Sequence, residues 1–181
     1  WNLDIINIRD YTEDKHKTVD DTPYGGGSGM VIRADVIANS LDKNLNVGEK
    51  VYYLSPRGKL LNQEIAKKIS NEKSMNILCG HFEGVDQRVI DNKNIEEISL
   101  GDYILSGGET ASYVILDSVL RLIPGVLGNK DSIIDESFEN GLLEYPQYTN
   151  LKFGRKIRFP RYYCQEIMLK LKTGVYLNLR L

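Results

Sequence analysis

The chain has 181 residues, of which 41% are hydrophobic and 27% charged, with 16 glycines and 5 prolines. This composition is typical of a globular protein and argues against whole-chain disorder, a collagen-like repeat or a coiled coil. No run of about 18 apolar residues is present, so we expect no membrane span. Two cysteines, Cys79 and Cys164, are too few for a disulfide scaffold or a four-ligand zinc site, and we expect a cytoplasmic location.

The formal net charge of −2 conceals an uneven distribution. Residues 1–149 carry 15 Lys and Arg against 24 Asp and Glu, whereas residues 150–181 carry 8 against 1. A basic segment that follows an acidic one usually indicates an anionic partner such as nucleic acid.

The first fifty residues contain one apolar run and one glycine-rich run. Residues 3–8 hold Leu3, Ile5, Ile6 and Ile8, and we predict a buried strand there. Residues 24–30 are predicted to form a loop on the substrate side or at an interface. This loop lacks the lysine of a phosphate-binding loop, and the two aspartates before it would repel a phosphate.

From residue 51 onward, short strand patterns alternate with helical patterns. The predicted strands are residues 51–54, 76–79 and 97–100. The predicted helices are residues 60–69, 85–90 and 110–122. This alternation predicts an α/β fold with a mostly parallel sheet.

Three loops rich in small residues leave the ends of these strands, at residues 55–58, 80–84 and 101–108. Ligands of open α/β sheets bind outside the carboxyl ends of the strands. None of the loops contains Gly-Lys-Ser/Thr or opens a helix with G-x-G-x-x-G. We therefore predict a ligand read by backbone groups, of the adenosine type without a pyrophosphate, such as S-adenosylmethionine. The alternative is that the glycines serve tight turns only.

Several motifs together resemble the bacterial tRNA (guanine-N1) methyltransferase family, whose members modify the guanosine 3′ of the anticodon. The longest are DKHKTVDDTPYGGG at residues 14–27, CGHFEGVD at 79–86 and RLIPGVLGN at 121–129. Shorter ones are LSP at 54–56, ISLGDY at 98–103, LSGGE at 105–109, SF at 137–138, GLL at 141–143 and YPQYT at 145–149.

The resemblance implies a SPOUT-like α/β fold with a trefoil knot, a homodimer, tRNA as the partner and S-adenosylmethionine as the methyl donor. By position it assigns donor binding to Leu54, Ser55, Pro56, Gly80, Glu83, Ser99, Leu100, Gly101, Asp102, Tyr103, Ile104, Leu105, Gly107 and Gly108.

Methylation of guanine at N1 requires a base for the N1 proton and a cation or donor near O6. The resemblance assigns the cation to Arg121. Glu136 stands where the family has an aspartate base, with Asp135 directly before it. Without the resemblance, we would interpret Asp135 and Glu136 as a solvated acidic pair. Arg121 would be interpreted as a positive charge that complements the dipole at a helix C-terminus. We expect no metal site around His16 or His81.

The in-frame resemblance ends at Thr149. Back-translation of residues 150–181 one nucleotide out of register permits the family's own continuation over much of the segment. We therefore expect residues 1–149 to be the knotted donor-binding domain, incomplete because it lacks its first strand. Residues 150–181 are expected to be an out-of-frame basic segment in place of the tRNA-binding domain. The alternative is a genuine basic tail that binds tRNA.

The expected activity is transfer of a methyl group from S-adenosylmethionine to N1 of the guanosine 3′ of the tRNA anticodon. The alternative is an inactive remnant that retains at most donor binding or dimerisation. A nucleotide-binding α/β oxidoreductase is disfavoured, because the dinucleotide fingerprint is missing.

Overall fold

The computed structural model describes residues 2–126, Thr149 and two short strands beyond it. The chain divides into two compact units, Trp1–Gly141 and Leu142–Leu181. In the second unit, β6 (Phe153–Gly154) pairs antiparallel with β7 (Ile157–Arg158). The predicted base residues, Asp135 and Glu136, lie outside the described residues.

The first unit alternates strands and helices after a short 3-10 helix at Ile8–Tyr11. In chain order, the strands are β1 (Asp20–Asp21), β2 (Val31–Ile32), β3 (Val51–Leu60), β4 (Asn76–Leu78) and β5 (Glu96–Ser99). The helices are α1 (Ala34–Asn44), α2 (Gln63–Ser70), α3 (Gln87–Asn92) and α4 (Gly108–Leu120). In the part of the chain that is described, no helix has both the length and the apolar character needed to cross a bilayer.

A three-stranded parallel sheet in the order β4-β3-β5 forms the centre of the first unit. Tyr53 of β3 lies opposite Leu78 on one side and Glu97 on the other. The α/β class and the parallel sheet predicted from the sequence are thus confirmed. The β1 and β2 strands form a separate antiparallel pair.

Strand β3 is interrupted by a large irregularity. Leu54 and Lys59 both lie opposite Ile98 of β5, so residues 55–58 leave the ladder between them. Pairing resumes at Lys59 and continues at Leu60, and the Leu61 amide donates to the Ser99 carbonyl at 2.8 Å. The chain therefore bulges outward at the predicted turn.

The two faces of the sheet bury separate apolar cores, because successive side chains of a strand point to opposite faces. Tyr53 packs on the face covered by α1 and α3, with a core that includes Ile32, Ile37, Leu78, Val85, Val89 and Ile90. Tyr52 packs on the face covered by α2 and α4, with Leu54, Ala66, Ile69, Ile98, Ala111, Ile115 and Val119. Helices on both faces explain why residues 51–54 of β3 form a continuous apolar run.

The predicted strand at residues 3–8 is wrong. Residues 2–7 have no regular secondary structure, and Ile5 is 88% exposed. The apolar pattern alone cannot supply a neighbouring strand, and no described strand pairs with this segment. Asn7 instead caps the 3-10 helix through its side chain.

The predicted start of α2 at residue 60 is also wrong, because Leu60 and Leu61 continue the pairing with β5. The helix begins at Gln63, where the Asn62 side chain accepts a hydrogen bond from the Ile65 amide at 2.9 Å. Helices α3 and α4 lie within about two residues of their predicted bounds, as is usual for helix ends. The loop at residues 24–30 is confirmed as a loop.

Helix α3 is capped by Asp86, whose carboxylate accepts from the Arg88 amide at 2.9 Å. Hydrogen bonding from the Arg88 side chain is the main cause that lowers the pKa of Asp86. We expect Asp86→Ala to lower the free energy of unfolding by about 1 kcal/mol at neutral pH, whereas Asp86→Asn, which can still cap, loses less.

The effect has a defined pH dependence. A carboxyl with a lowered pKa stabilises the fold above its ordinary pKa, and this contribution is lost as the pH falls through the lowered value. Urea unfolding of wild type, Asp86→Ala and Asp86→Asn at neutral pH and at about pH 3 measures this pH dependence. A gap between wild type and Asp86→Ala that is as large in acid as at neutral pH would contradict the role of the charged form.

Candidate functional site

A cleft opens where the chain leaves the carboxyl ends of the three parallel strands. Residues 55–58 follow the first part of β3, residues 79–86 follow β4, and residues 100–107 follow β5. Because the strands are parallel, these segments meet at one edge of the sheet. They enclose a cleft of about 610 Å³, a volume in the range of small-molecule sites.

The cleft brings together nearly all of the residues that the sequence assigns to donor binding. Asp102 is exposed and does not line it. The other thirteen do: Leu54, Ser55, Pro56, Gly80, Glu83, Ser99, Leu100, Gly101, Tyr103, Ile104, Leu105, Gly107 and Gly108. Their proximity is a structural finding, while their binding of a donor stays a prediction.

Glycines let the backbone segments of the cleft approach one another closely. A Cβ on Gly108 would lie 2.7 Å from the Cα of Cys79, and the Gly108 amide donates to the Gly80 carbonyl at 2.9 Å. A Cβ on Gly80 would lie 2.8 Å from the ring of Tyr53. Side chains at these positions would push the walls apart, so the glycines serve close packing as well as turns.

Tyr53, in strand β3, forms part of the cleft wall. Its side chain is buried in the core on the α1 and α3 face, and burial raises the pKa of its hydroxyl. Gly84, with φ of +114°, packs against the hydroxyl, and a Cβ there would lie 3.0 Å from it. Tyr53 therefore stays neutral at physiological pH and acts in packing.

Two charged side chains at the cleft, His81 and Arg57, have polar partners. Nε2 of His81 lies 2.6 Å from Oε1 of Glu109, and this hydrogen bond is the main cause that lowers the pKa of Glu109. On another wall, the Arg57 guanidinium donates to the Gln87 side chain at 2.9 Å and lies 3.8 Å from the Glu97 carboxylate. No described cluster of cations faces the cleft in the way that a pyrophosphate would require.

The sequence analysis did not assign several residues that line the cleft, among them Tyr53, Arg57, His81, Phe82, Asp86 and Gln87. Most of them adjoin assigned positions in the same strand-end segments, so a rule that includes immediate neighbours would have found them. Cys79 stands beside the cleft, and burial raises the pKa of its thiol, which disfavours the reactive thiolate.

The structure does not bring Arg121 into this cleft. Gly108, the first residue of α4, lines the cleft, whereas Arg121 is the residue that ends the helix. Ala111, the last residue of α4 that lines the cleft, precedes Arg121 by ten residues, which corresponds to about 15 Å along an α-helix. Arg121 of one chain therefore lies far from the cleft of the same chain.

Within the residues that the structure describes, no three His, Cys, Asp or Glu side chains are grouped in a way that would hold a metal ion. The site that remains is a cleft lined by backbone groups, small residues and paired charges, at the carboxyl edge of a parallel sheet. This arrangement defines an α/β protein with a binding site for a small organic ligand.

Comparison with known proteins then gives the family. Residues 1–171 match the family model described as tRNA (Guanine-1)-methyltransferase TrmD, and the chain therefore belongs to that family. The match runs past Thr149 into the basic segment.

Individual relatives carry the name tRNA (guanine-N(1)-)-methyltransferase. The chain is 65% identical to the one from Pelagibacter ubique over 149 residues, which cover 82% of this chain and 65% of that protein. It is 57% identical to the one from Brucella canis and 56% identical to the one from Bartonella henselae, again over 82% of this chain. The matched part spans slightly less than two thirds of each of these relatives.

Proposed function

We propose that this protein transfers a methyl group from S-adenosylmethionine to N1 of the guanosine 3′ of the anticodon in tRNA. Membership of the family and the names of its relatives support this activity. The observation that carries it is the single cleft around which thirteen of the assigned donor-binding residues lie. A cytoplasmic location goes with tRNA as the substrate.

The residues of the cleft fit an adenosyl sulfonium donor. Gly80, Gly107 and Gly108 leave backbone groups accessible to a flat ligand, and Glu83 lies at the cleft as a carboxylate that favours a cation. Bound S-adenosylmethionine supplies an electrophilic methyl group on a positively charged sulfur. The chain's own contribution is to orient the donor and to exclude water from the site.

Guanine N1 carries a proton that has to leave as the new bond to carbon forms. We assign its acceptor to the carboxylate of Glu136 or Asp135, and we assign stabilisation of the charge that develops toward O6 to Arg121. Since Arg121 lies about 15 Å along α4 from Ala111, the last cleft-lining residue of that helix, we propose that it reaches a guanine in the cleft of a second copy.

A homodimer of this kind is supported by the surface of α4. Tyr113 and Val114 are 74% and 49% exposed on a helix whose opposite side is buried in the core. Tyr103 and Ile104, in the loop that precedes α4, are also exposed. We assign the dimer interface to the exposed apolar side chains of α4, and a two-fold axis would bring the two copies of this helix together.

The trefoil knot is part of this proposal. Residues 55–58 bulge out of β3 while Leu54 and Lys59, on either side of them, both lie opposite β5. A Cβ on Gly58 would lie closer than 3.0 Å to backbone atoms of Glu97 and Ile98. We assign the knot to this region, where residues 55–58 pass close to β5.

We also retain the proposal that residues 150–181 are read out of frame. The family match continues to residue 171, whereas the pairwise alignments span 149 residues. Sequencing of the gene together with peptide mass spectrometry of the purified protein distinguishes the two interpretations. A gene in which no reading frame beyond residue 149 encodes the family's continuation would rule out the frameshift and favour a genuine basic tail.

Methylation of a tRNA transcript tests the proposed activity. We expect label from methyl-labelled S-adenosylmethionine to enter a transcript with guanosine 3′ of the anticodon and to be recovered as 1-methylguanosine after nuclease digestion. The matched control is the same transcript with adenosine at that position, which offers no N1 proton and should remain unlabelled. Absence of label in both transcripts, from folded protein, would refute the activity.

A further inference from the structure

Two walls of the cleft are joined beside Gly107. The segment after β4 and the start of α4 share the hydrogen bond from the Gly108 amide to the Gly80 carbonyl. One residue further along each segment, the ring of His81 and the carboxylate of Glu109 form a hydrogen bond of 2.6 Å. Because an ionised carboxylate can only accept, Nε2 of His81 carries the proton.

Gly107 lies directly against this pair. A Cβ at this position would lie 2.6 Å from Oε2 of Glu109 and 3.0 Å from Cε1 of His81. The side-chain pair therefore closes over the backbone of Gly107, which itself lines the cleft. Any change in the separation of His81 and Glu109 is transmitted to the wall of the cleft.

The rest of that wall is loosely held in the described structure. At its start, the Ser99 hydroxyl accepts from the Gly101 amide at 3.2 Å. Further along, Tyr103 and Ile104 are 55% and 80% exposed. The contact between His81 and Glu109 thus holds the C-terminal end of the segment at residues 100–107. The middle of this segment has few buried groups.

The geometry points to His81 and Glu109 as positioning residues: their hydrogen bond holds the two walls at the separation that the donor requires and so sets the affinity of the cleft. This inference rests on the proposed function, in which S-adenosylmethionine occupies the cleft. Preorganised loops bind more tightly, because less conformational freedom is lost on binding.

The pair should affect affinity far more than folding. The side chains of His81 and Glu109 are 47% and 58% exposed, and exposed ion pairs contribute little to stability. Their removal should therefore leave a folded protein whose cleft walls are free to separate. A role confined to folding would instead appear in the thermal midpoint.

A double-mutant cycle on donor affinity tests the inference. The dissociation constant of S-adenosylhomocysteine is measured by calorimetry for wild type, His81→Ala, Glu109→Ala and the double variant. Each single change should weaken binding by about five- to tenfold, and the double variant should bind no more weakly than either single one. His81→Arg, which keeps planar N–H donors toward Glu109, should restore most of the affinity.

The other histidine of the chain supplies the matched control. His16 lies outside the cleft lining, so His16→Ala should leave the affinity for S-adenosylhomocysteine unchanged. In methylation assays, the alanine changes at the pair should raise the KM for the donor and leave the KM for tRNA as it is.

The outcomes separate this inference from the proposed function. Single effects that multiply in the double variant, or His81→Arg that binds as weakly as His81→Ala, would overturn the positioning role while donor binding by wild type stands. A wild-type protein that binds no donor at all would overturn both.

Discussion

Gly58→Ala is expected to produce the largest loss of stability of any single methyl addition in the sheet. The new Cβ would lie closer than 3.0 Å to backbone atoms of Glu97 and Ile98 in β5. Backbone atoms in a paired strand cannot turn away as a side chain can, so β3 and β5 must separate. Overpacking of a core costs about 1–3 kcal/mol or more, and this clash falls at the upper end of that range.

The measurement is urea unfolding at neutral pH, with Gly48→Ala as the matched control. Gly48 has φ of +92° but no atom near the position of a Cβ, so alanine there carries only the backbone cost of about 1 kcal/mol. The φ of Gly58 lies outside the left-handed region, so alanine there carries no such backbone cost. The loss of stability in Gly58→Ala therefore reports the steric clash with β5. Equal stability of the two variants would show that β5 does not pass as closely as the structure places it.

The second large effect is expected when two inactive variants are mixed. Arg121→Ala should lower kcat by about a hundredfold to a thousandfold, because it removes the group that we propose to stabilise charge in the transition state. Glu83→Lys should abolish donor binding, because it places a cation in the cleft that we propose for a sulfonium donor. If Arg121 acts in the cleft of a second copy, a mixed dimer contains one site in which both residues are intact.

Co-refolding of the two variants in equal amounts therefore restores activity. Random pairing gives half mixed dimers with one working site each, so activity should reach about a quarter of the wild-type value. Each variant refolded alone is the control, and sedimentation establishes the dimer in every sample. Mixed samples that remain as inactive as the separate variants would place Arg121 in its own chain's site or outside catalysis.

Local pattern was enough to predict the part of the fold that holds the cleft. Residues 51–54 and 77–79 are continuous apolar runs followed by small residues, and both overlap strands with helices on each side of the sheet. Parallel strands end at one edge of a sheet, so the sequence alone predicts that the three loops lie close together. The family resemblance, rather than this topological step, assigned the donor-binding residues; thirteen of them line the one cleft, and their binding of a donor stays a prediction.

Features that depend on distant partners were not predictable in this way. Residues 3–8 have an apolar strand pattern but no described strand beside them, whereas Leu60 and Leu61 have helical spacing but pair with β5. The contact between His81 and Glu109 joins residues 28 positions apart, and only the folded chain reveals it. The distance of Arg121 from the cleft, in contrast, follows from helix length and was already implicit in the sequence.

Calorimetric titration of the wild-type protein with S-adenosylhomocysteine tests most directly whether the glycine-walled cleft is a donor site. We predict saturable binding of one molecule per chain, lost in Glu83→Lys, and no saturable heat with ATP or NAD, whose phosphates find no cluster of cations among the described lining residues. Binding of ATP or NAD with equal affinity, or no binding of S-adenosylhomocysteine by folded protein, would contradict it.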